Sequence, residues 1–235
     1  MHTIAIVNAK GGCGKSTIAT GLASALAWEG ETVALADMDP QQSANDWLSL
    51  RPADYPEILS VNADGGPIHA PQGTTSLVID TPAGLHGPSL SHVLQRADLV
   101  LVPVLPSPVD MRAAWRFLER LVELRPVREG RLQCGLIANR VKPHTIIYRE
   151  LTGFLNGFRI PVVAQFRDSM NYVRAFERGL SVSDLPEYQA ASDWADWARL
   201  LEWVNGQETT RSAIGHWLST AIKLAMPGGD DEKKA

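Results

Sequence analysis

The chain has 235 residues, 45% apolar and 20% charged, and its 22 Lys/Arg against 26 Asp/Glu give a net charge of −4. This is one globular domain, or one with an appendage, long enough for a large core, and its overall charge argues against a general polyanion binder. Two cysteines, Cys13 and Cys134, exclude a disulfide framework and a four-cysteine zinc site. The six histidines show no ligand spacing, and no apolar run reaches the ~18 residues of a membrane span. Residues Met1–Ile4 place no charged leader before an apolar stretch, so a cytosolic, reduced protein is expected.

Short apolar runs alternate with helical patterns along the chain. Thr3–Asn8 reads as a buried strand, followed by a glycine-rich turn and a helix over Ser16–Trp28. Further strands are expected at Thr32–Asp37, Ser76–Asp80, Leu99–Val104, Leu132–Ala138 and Pro161–Gln165, with a short one near Ile58–Val61. Helices are expected near Ala44–Leu50, Ser89–Arg96, Asp110–Leu124, Thr145–Gly157 and Ser169–Arg178. Strands alternating with helices predict an α/β fold: a mostly parallel twisted sheet with helices on both faces. Glu187–Val204 carries Trp194, Trp197, Leu201 and Val204 on one stripe of a strong helix, which Gly206 ends. Residues 206–235 read as a separate C-terminal amphipathic helix, with Ile214, Trp217, Leu218 and Ile222 on one side, and a charged tail.

Charge is unevenly spread. Residues 1–111 balance at −7, residues 112–178 at +7 and residues 179–235 at −4. Arg112, Arg116 and Arg120 repeat every four residues and fall along one helix face, with Glu119 and Glu123 close enough to neutralise part of it. Either a solvated helix face or a surface for a polyanion fits this pattern.

Lys10-Gly11-Gly12-Cys13-Gly14-Lys15-Ser16 lies between the first strand and the first helix, the context a phosphate-binding loop requires. Backbone N–H groups of residues 11–16 can wrap an anion at the helix N-terminus. Lys15 is placed to reach the β- and γ-phosphates, Ser16 to bind Mg²⁺ and Thr17 to touch the α-phosphate. Ala9 holds the place of the usual first glycine, and Lys10 is an additional lysine. A thiol at a helix N-terminus can have a lowered pKa, so Cys13 is either a small filler or a reactive group.

This loop resembles the deviant Walker A motif of the ParA/MinD group of dimerising ATPases, closest to short ParA-type, ParF-like or McdA-like, members. The resemblance covers roughly residues 1–205. It implies a P-loop NTPase fold, ATP and Mg²⁺ as cofactors, and catalytic roles for Lys10, Lys15 and Asp39. Lys10 would reach the partner's nucleotide across an ATP-dependent homodimer. Asp37-Met38-Asp39-Pro40-Gln41 matches the family's switch I, with Asp39 orienting water and helping hold Mg²⁺ and Asp37 the more structural acid. Leu77-Val78-Ile79-Asp80 followed by Thr81-Pro82-Ala83-Gly84 resembles Walker B plus switch II, giving Ser16, Asp39 and Asp80 as the metal set. Asn139 matches the adenine-reading asparagine, and Pro103–Asp110 resembles a proline-rich segment that frames the nucleotide.

The function so implied is positioning or partition of a cargo (a plasmid, a chromosome or a carboxysome-like organelle). It would work by ATP-dependent, non-specific binding to nucleoid DNA, with release when a cargo-bound activator stimulates hydrolysis. Arg167, Arg174 and Arg178 lie where the family contacts DNA. The chain starts at its first strand, so sequence-specific operator binding through a preceding helix-turn-helix is not expected, and a membrane partner is disfavoured. A MinD-like membrane ATPase and a metabolic P-loop ligase are the alternatives. Pro40-Gln41 favours the ParA reading.

Overall fold

The computed structural model describes residues 1–63 and 68–206. The second predicted unit, with its helix over Ile214–Ala225, lies outside the described residues. The described chain runs β1 (His2–Ile6), α1 (Lys15–Trp28), β2 (Val33–Asp37), α2 (Ser43–Leu50), β3 (Ile58–Val61), β4 (Ser76–Asp80), α3 (Gly87–Arg96) and β5 (Leu99–Val104). It continues through α4 (Pro108–Glu123), α5 (Arg125–Arg128), β6 (Gln133–Val141), α6 (Ile146–Asn156), β7 (Val162–Arg167) and α7 (Met170–Phe176). A 3₁₀ turn at Val182–Asp184 and α8 (Glu187–Val204) close the series.

The strands form one seven-stranded parallel sheet in the order β3-β2-β4-β1-β5-β6-β7. The expected parallel sheet covered on both faces is therefore present. Strands β2, β4 and β5 are buried at every position, which is why they read as unbroken apolar runs rather than alternating ones. On one face, Ile18 and Leu22 of α1, Trp47 of α2 and Trp197 and Leu200 of α8 share a core with the sheet. On the other, Val93 of α3, Leu118 of α4 and Leu151 of α6 do the same. Gly21 of α1 makes room for the Trp197 ring of α8, since a Cβ there would lie 2.6 Å from it.

Boundaries differ from expectation where caps decide them. Helix α4 starts two residues before Asp110, because Ser107 accepts a hydrogen bond from the Asp110 N–H and Pro108 takes the first turn, where a missing N–H costs nothing. Strand β6 runs past Ala138 to Val141 and carries Asn139 and Arg140 with it. Helix α7 stops at Phe176, short of the expected Arg178. The short α5 and the 3₁₀ turn, closed by a reciprocal Ser181–Asp184 cap, have too few residues to show a period and are not evident in the sequence.

β1 sits between β4 and β5, on opposite sides of which the chain winds outward. Its C-terminal end is thus the topological switch point, where open parallel sheets leave a crevice for ligands.

Candidate nucleotide site

The crevice is a cleft of about 860 Å³ lined by Gly11, Gly12, Gly14 to Ile18, Asp39, Pro82, Ala83 and Asn139, with an outer wall from β7 and α7. It brings together the phosphate loop, both switch-like segments and Asn139. Gly12 (φ 76°) and Gly14 (φ 92°) hold the loop in left-handed conformations that favour glycine, and Gly14 is the N-cap of α1. Lys15 is buried, and its ammonium donates to the Lys10 carbonyl at 3.3 Å.

The register of the sheet places the acidic groups. Asp37 pairs with Asp80 across β2 and β4, so the two acids stand side by side as the last residues of their strands. Asp37 is fully used by its own backbone. One oxygen accepts from Asp39 N–H at 2.9 Å, and the other accepts from Ala44 and Asn45 N–H at 2.8 and 3.1 Å. It anchors the Asp39 loop to the start of α2, the structural role expected for it. Asp39 lines the cleft and accepts from Gln41 N–H.

Asp80 is different. It is completely buried and neither oxygen has a hydrogen-bond partner. Burial pushes its pKa up to about 7, an effect partly offset by the Ser16 hydroxyl and by Lys15, and reinforced by Asp37 and Asp39. Ser16 faces the carboxylate without completing a hydrogen bond to it. A buried carboxyl with no partner keeps its proton, as the raised pKa of Asp80 shows, or gives it up to a cation bound beside it. Ser16, Asp39 and Asp80 suit Mg²⁺, which is held by few protein oxygens together with phosphates. Among the described residues no group of three or more His, Cys, Asp or Glu is placed to hold a metal ion by itself. Mg²⁺ bound there would neutralise phosphate charge.

Several supporting residues are not evident from the sequence. Asn8 donates to the Pro103 carbonyl at 2.6 Å and accepts from Lys10 N–H at 3.0 Å, tying the proline-rich strand end to the phosphate loop. Thr81 donates to the Ile6 carbonyl at 2.7 Å. At the rim, Asp168 pairs with Arg140 and Lys142 at 3.3 and 3.2 Å. The Lys142 ammonium and the Arg140 guanidinium hold its carboxyl below the usual range. Asn139 donates to the Cys13 carbonyl at 2.7 Å.

The structure favours the filler reading of Cys13 and gives Arg167 partners within the chain. Cys13 is fully buried, its thiol donates to the Lys10 carbonyl, and burial pushes its pKa up despite Lys15 beside it, so it is not an activated thiolate. Arg167 is not a free cation. It pairs with Asp193 at 2.9 Å and Asp196 at 2.8 Å, both on α8, so its charge is more than balanced within the chain. Arg174 and Arg178 are exposed and make no ion pair among the described residues. Arg112, Arg116 and Arg120 are also exposed, and neither Glu119 nor Glu123 bridges to them. No described helix is long and apolar enough to cross a membrane.

Comparison with known proteins places this geometry. The carboxysome distribution maintenance protein A of Halothiobacillus neapolitanus is 30% identical over 192 residues, 78% of this chain and 87% of that one. The protein of the same name from Gloeobacter kilaueensis is 31% identical over 214 residues, 86% of this chain and 93% of that one. The structure of apo McdA from Cyanothece superposes with a TM-score of 0.65 at 16% identity, covering 86% of this chain and 99% of that one, which shows the shared fold. The CobQ/CobB/MinD/ParA nucleotide-binding domain model matches residues 4–182, and the chain belongs to that family.

Proposed function

We propose that this protein is an ATP-driven dimerisation switch that positions a cellular cargo along DNA. The observation that carries the reading is Lys10. Its backbone is fixed by Asn8, and its carbonyl serves Lys15 and Cys13, yet its side chain makes no ion pair among the described residues. A second lysine in a phosphate loop already served by Lys15 has no task in its own subunit. Placed across an interface it makes the triphosphate part of the dimer and stabilises charge that develops on hydrolysis. Ser16, Asp80 and Asp39 would hold Mg²⁺, and Asp39 would orient the attacking water. The two carboxysome-distribution relatives support an organelle-type cargo, and an activator carried on that cargo would trigger hydrolysis and release.

The test is Asp39→Ala. It should keep ATP binding, lower turnover about 10²–10⁴-fold, and accumulate as an ATP-bound dimer by light scattering. A variant that stays monomeric in ATP and turns over normally would sink the switch.

A further inference from the structure

We infer that Asn139 is a positioning residue for the phosphate loop and governs binding of the triphosphate end of the ligand independently of any base. The inference rests on the nucleotide-site reading and adds a task that a base-reading asparagine does not have. Both polar ends of the side chain are engaged by the protein. Its Nδ2 donates to the Cys13 carbonyl at 2.7 Å, across 126 residues of sequence, and its Oδ1 accepts the Arg140 N–H at 2.9 Å. The residue is buried.

The surroundings are shaped around this contact. A Cβ on Gly14 would overlap Asn139 Nδ2, so Gly14 is required both for its φ of 92° and for the approach of the amide. The β6–β7 ladder breaks register between Ala138 and Val141, and Arg140 inside that break has φ 51°, a left-handed backbone that a non-glycine residue rarely adopts. That local strain sets the Arg140 N–H on Asn139 Oδ1 and so fixes the amide's orientation.

The consequence follows from peptide geometry. The C=O of Cys13 and the N–H of Gly14 share one trans peptide and point in opposite directions. Anchoring the carbonyl on Asn139 therefore turns the Gly14 N–H away from β6. Gly14 lines the cleft, and its N–H has no protein acceptor among the described residues, so it is held ready for an anion. Without Asn139 this peptide is free to rotate, and the loop must be ordered by the ligand at the ligand's expense.

The test compares Mg·ATP with Mg·tripolyphosphate, which has no base, by calorimetry on the wild type, Asn139→Ala and the near-isosteric Asn139→Leu. Amide hydrogen exchange of residues 11–16 in the ligand-free protein is the second readout. The expected result is that tripolyphosphate weakens by roughly three- to tenfold, the worth of one net hydrogen bond. ATP should weaken at least as much, and exchange should rise at residues 11–16 while the rest of the sheet is unchanged. Loss on ATP alone, with tripolyphosphate affinity and exchange both unaltered, would overturn the inference and leave Asn139 a base reader. Wild-type protein that binds neither ligand would sink the nucleotide reading instead, and the exchange data would still decide the strut.

Discussion

Arg51, the C-cap residue of α2, closes a two-pronged ion pair with Asp184, 133 residues further along, with Nη1–Oδ2 at 3.0 Å and Nη2–Oδ1 at 3.1 Å. The pair is almost wholly out of water, at 5% and 0% side-chain exposure. Asp184 also accepts from Ser24 Oγ, Trp28 Nε1 and Ser181 N–H, so its charge is met from several sides. The Arg51 guanidinium in turn lies over the rings of Trp47 and Tyr55, at 5.2 and 5.6 Å. The knot fastens α1, the helix the phosphate loop opens, to α2 and to the turn before α8.

Breaking one side strands a buried charge. Arg51→Ala or Asp184→Ala should each cost about 3–5 kcal/mol. In a domain of this size that lowers Tm on the order of 10 °C. Replacing both, as Arg51→Met with Asp184→Leu, should recover part of the loss, because an apolar pair leaves no unpaired ion. Thermal melts with single-variant losses under about 1 kcal/mol would show that the network is not a stabilising centre.

Asp80 gives a pH dependence whose sign is fixed. Its carboxyl is raised from 3.8 to about 7 by burial, so the folded ligand-free protein keeps the proton over a range where the unfolded chain has lost it. Asp80 therefore lowers stability as pH rises from near 4 to near 7, and its penalty is complete above the folded pKa. Metal needs the ionised form, so Mg·ATP binding just below pH 7 should release a proton. Calorimetry in buffers of different ionisation enthalpy should show that release at pH 6.5, and Asp80→Asn should abolish it. The same variant should melt higher than wild type at pH 8 without ligand. Binding with no proton release at pH 6.5 would mean that Asp80 does not face the metal.

The strands and the phosphate loop were legible for separate physical reasons, whereas the order of the strands in the sheet was not. Buried parallel strands such as Leu99–Val104 are continuous apolar runs, and a glycine-rich turn between strand and helix has few other uses. What the sequence hid depends on partners far along the chain. Asn8 finds Pro103 across 95 residues, and Arg167 is neutralised by Asp193 and Asp196 only because α8 packs beside β7. Local pattern carries no signal for such pairs. Asn139 shows both sides: its place at a strand end was visible, and its bond to Cys13 was not.

Lys10 and Lys15 should separate by what each loses. Lys15 is buried in the loop, whereas Lys10 is half-exposed and unpaired among the described residues. Lys15→Ala should weaken ATP binding by the monomer, since it removes the buried cation facing the phosphates. Lys10→Ala should leave monomer affinity within about twofold, because the loop amides and Lys15 remain, and should abolish the ATP-dependent dimer. Titration calorimetry and sedimentation on the two variants would check this. Equal loss of ATP in both would place Lys10 in its own subunit's site.

Any duplex would meet the cations that the fold leaves without an ion pair among the described residues. Arg167 is held by two carboxylates, so Arg167→Glu would set three acids together and unsettle the contact between β7 and α8 before it reported anything about DNA. Arg174 and Arg178 flank the end of α7, whose exposed Met170 and Val173 also line the nucleotide cleft. One subunit offers few cations against a net charge of −4, but the proposed ATP-bound dimer would present two copies to one duplex and gain avidity without new contacts. Binding to a random-sequence duplex should therefore need ATP and ignore sequence. It should fall with salt with a log–log slope of about −0.9 per phosphate neutralised. Arg174→Glu with Arg178→Glu should abolish it while the ATP dimer persists in light scattering, and Arg112→Glu with Arg116→Glu measures what α4 adds. Equal duplex affinity in ADP and ATP, or no loss between 50 and 200 mM salt where such contacts typically weaken steeply (about 10³-fold or more for six phosphates), would remove DNA as the track.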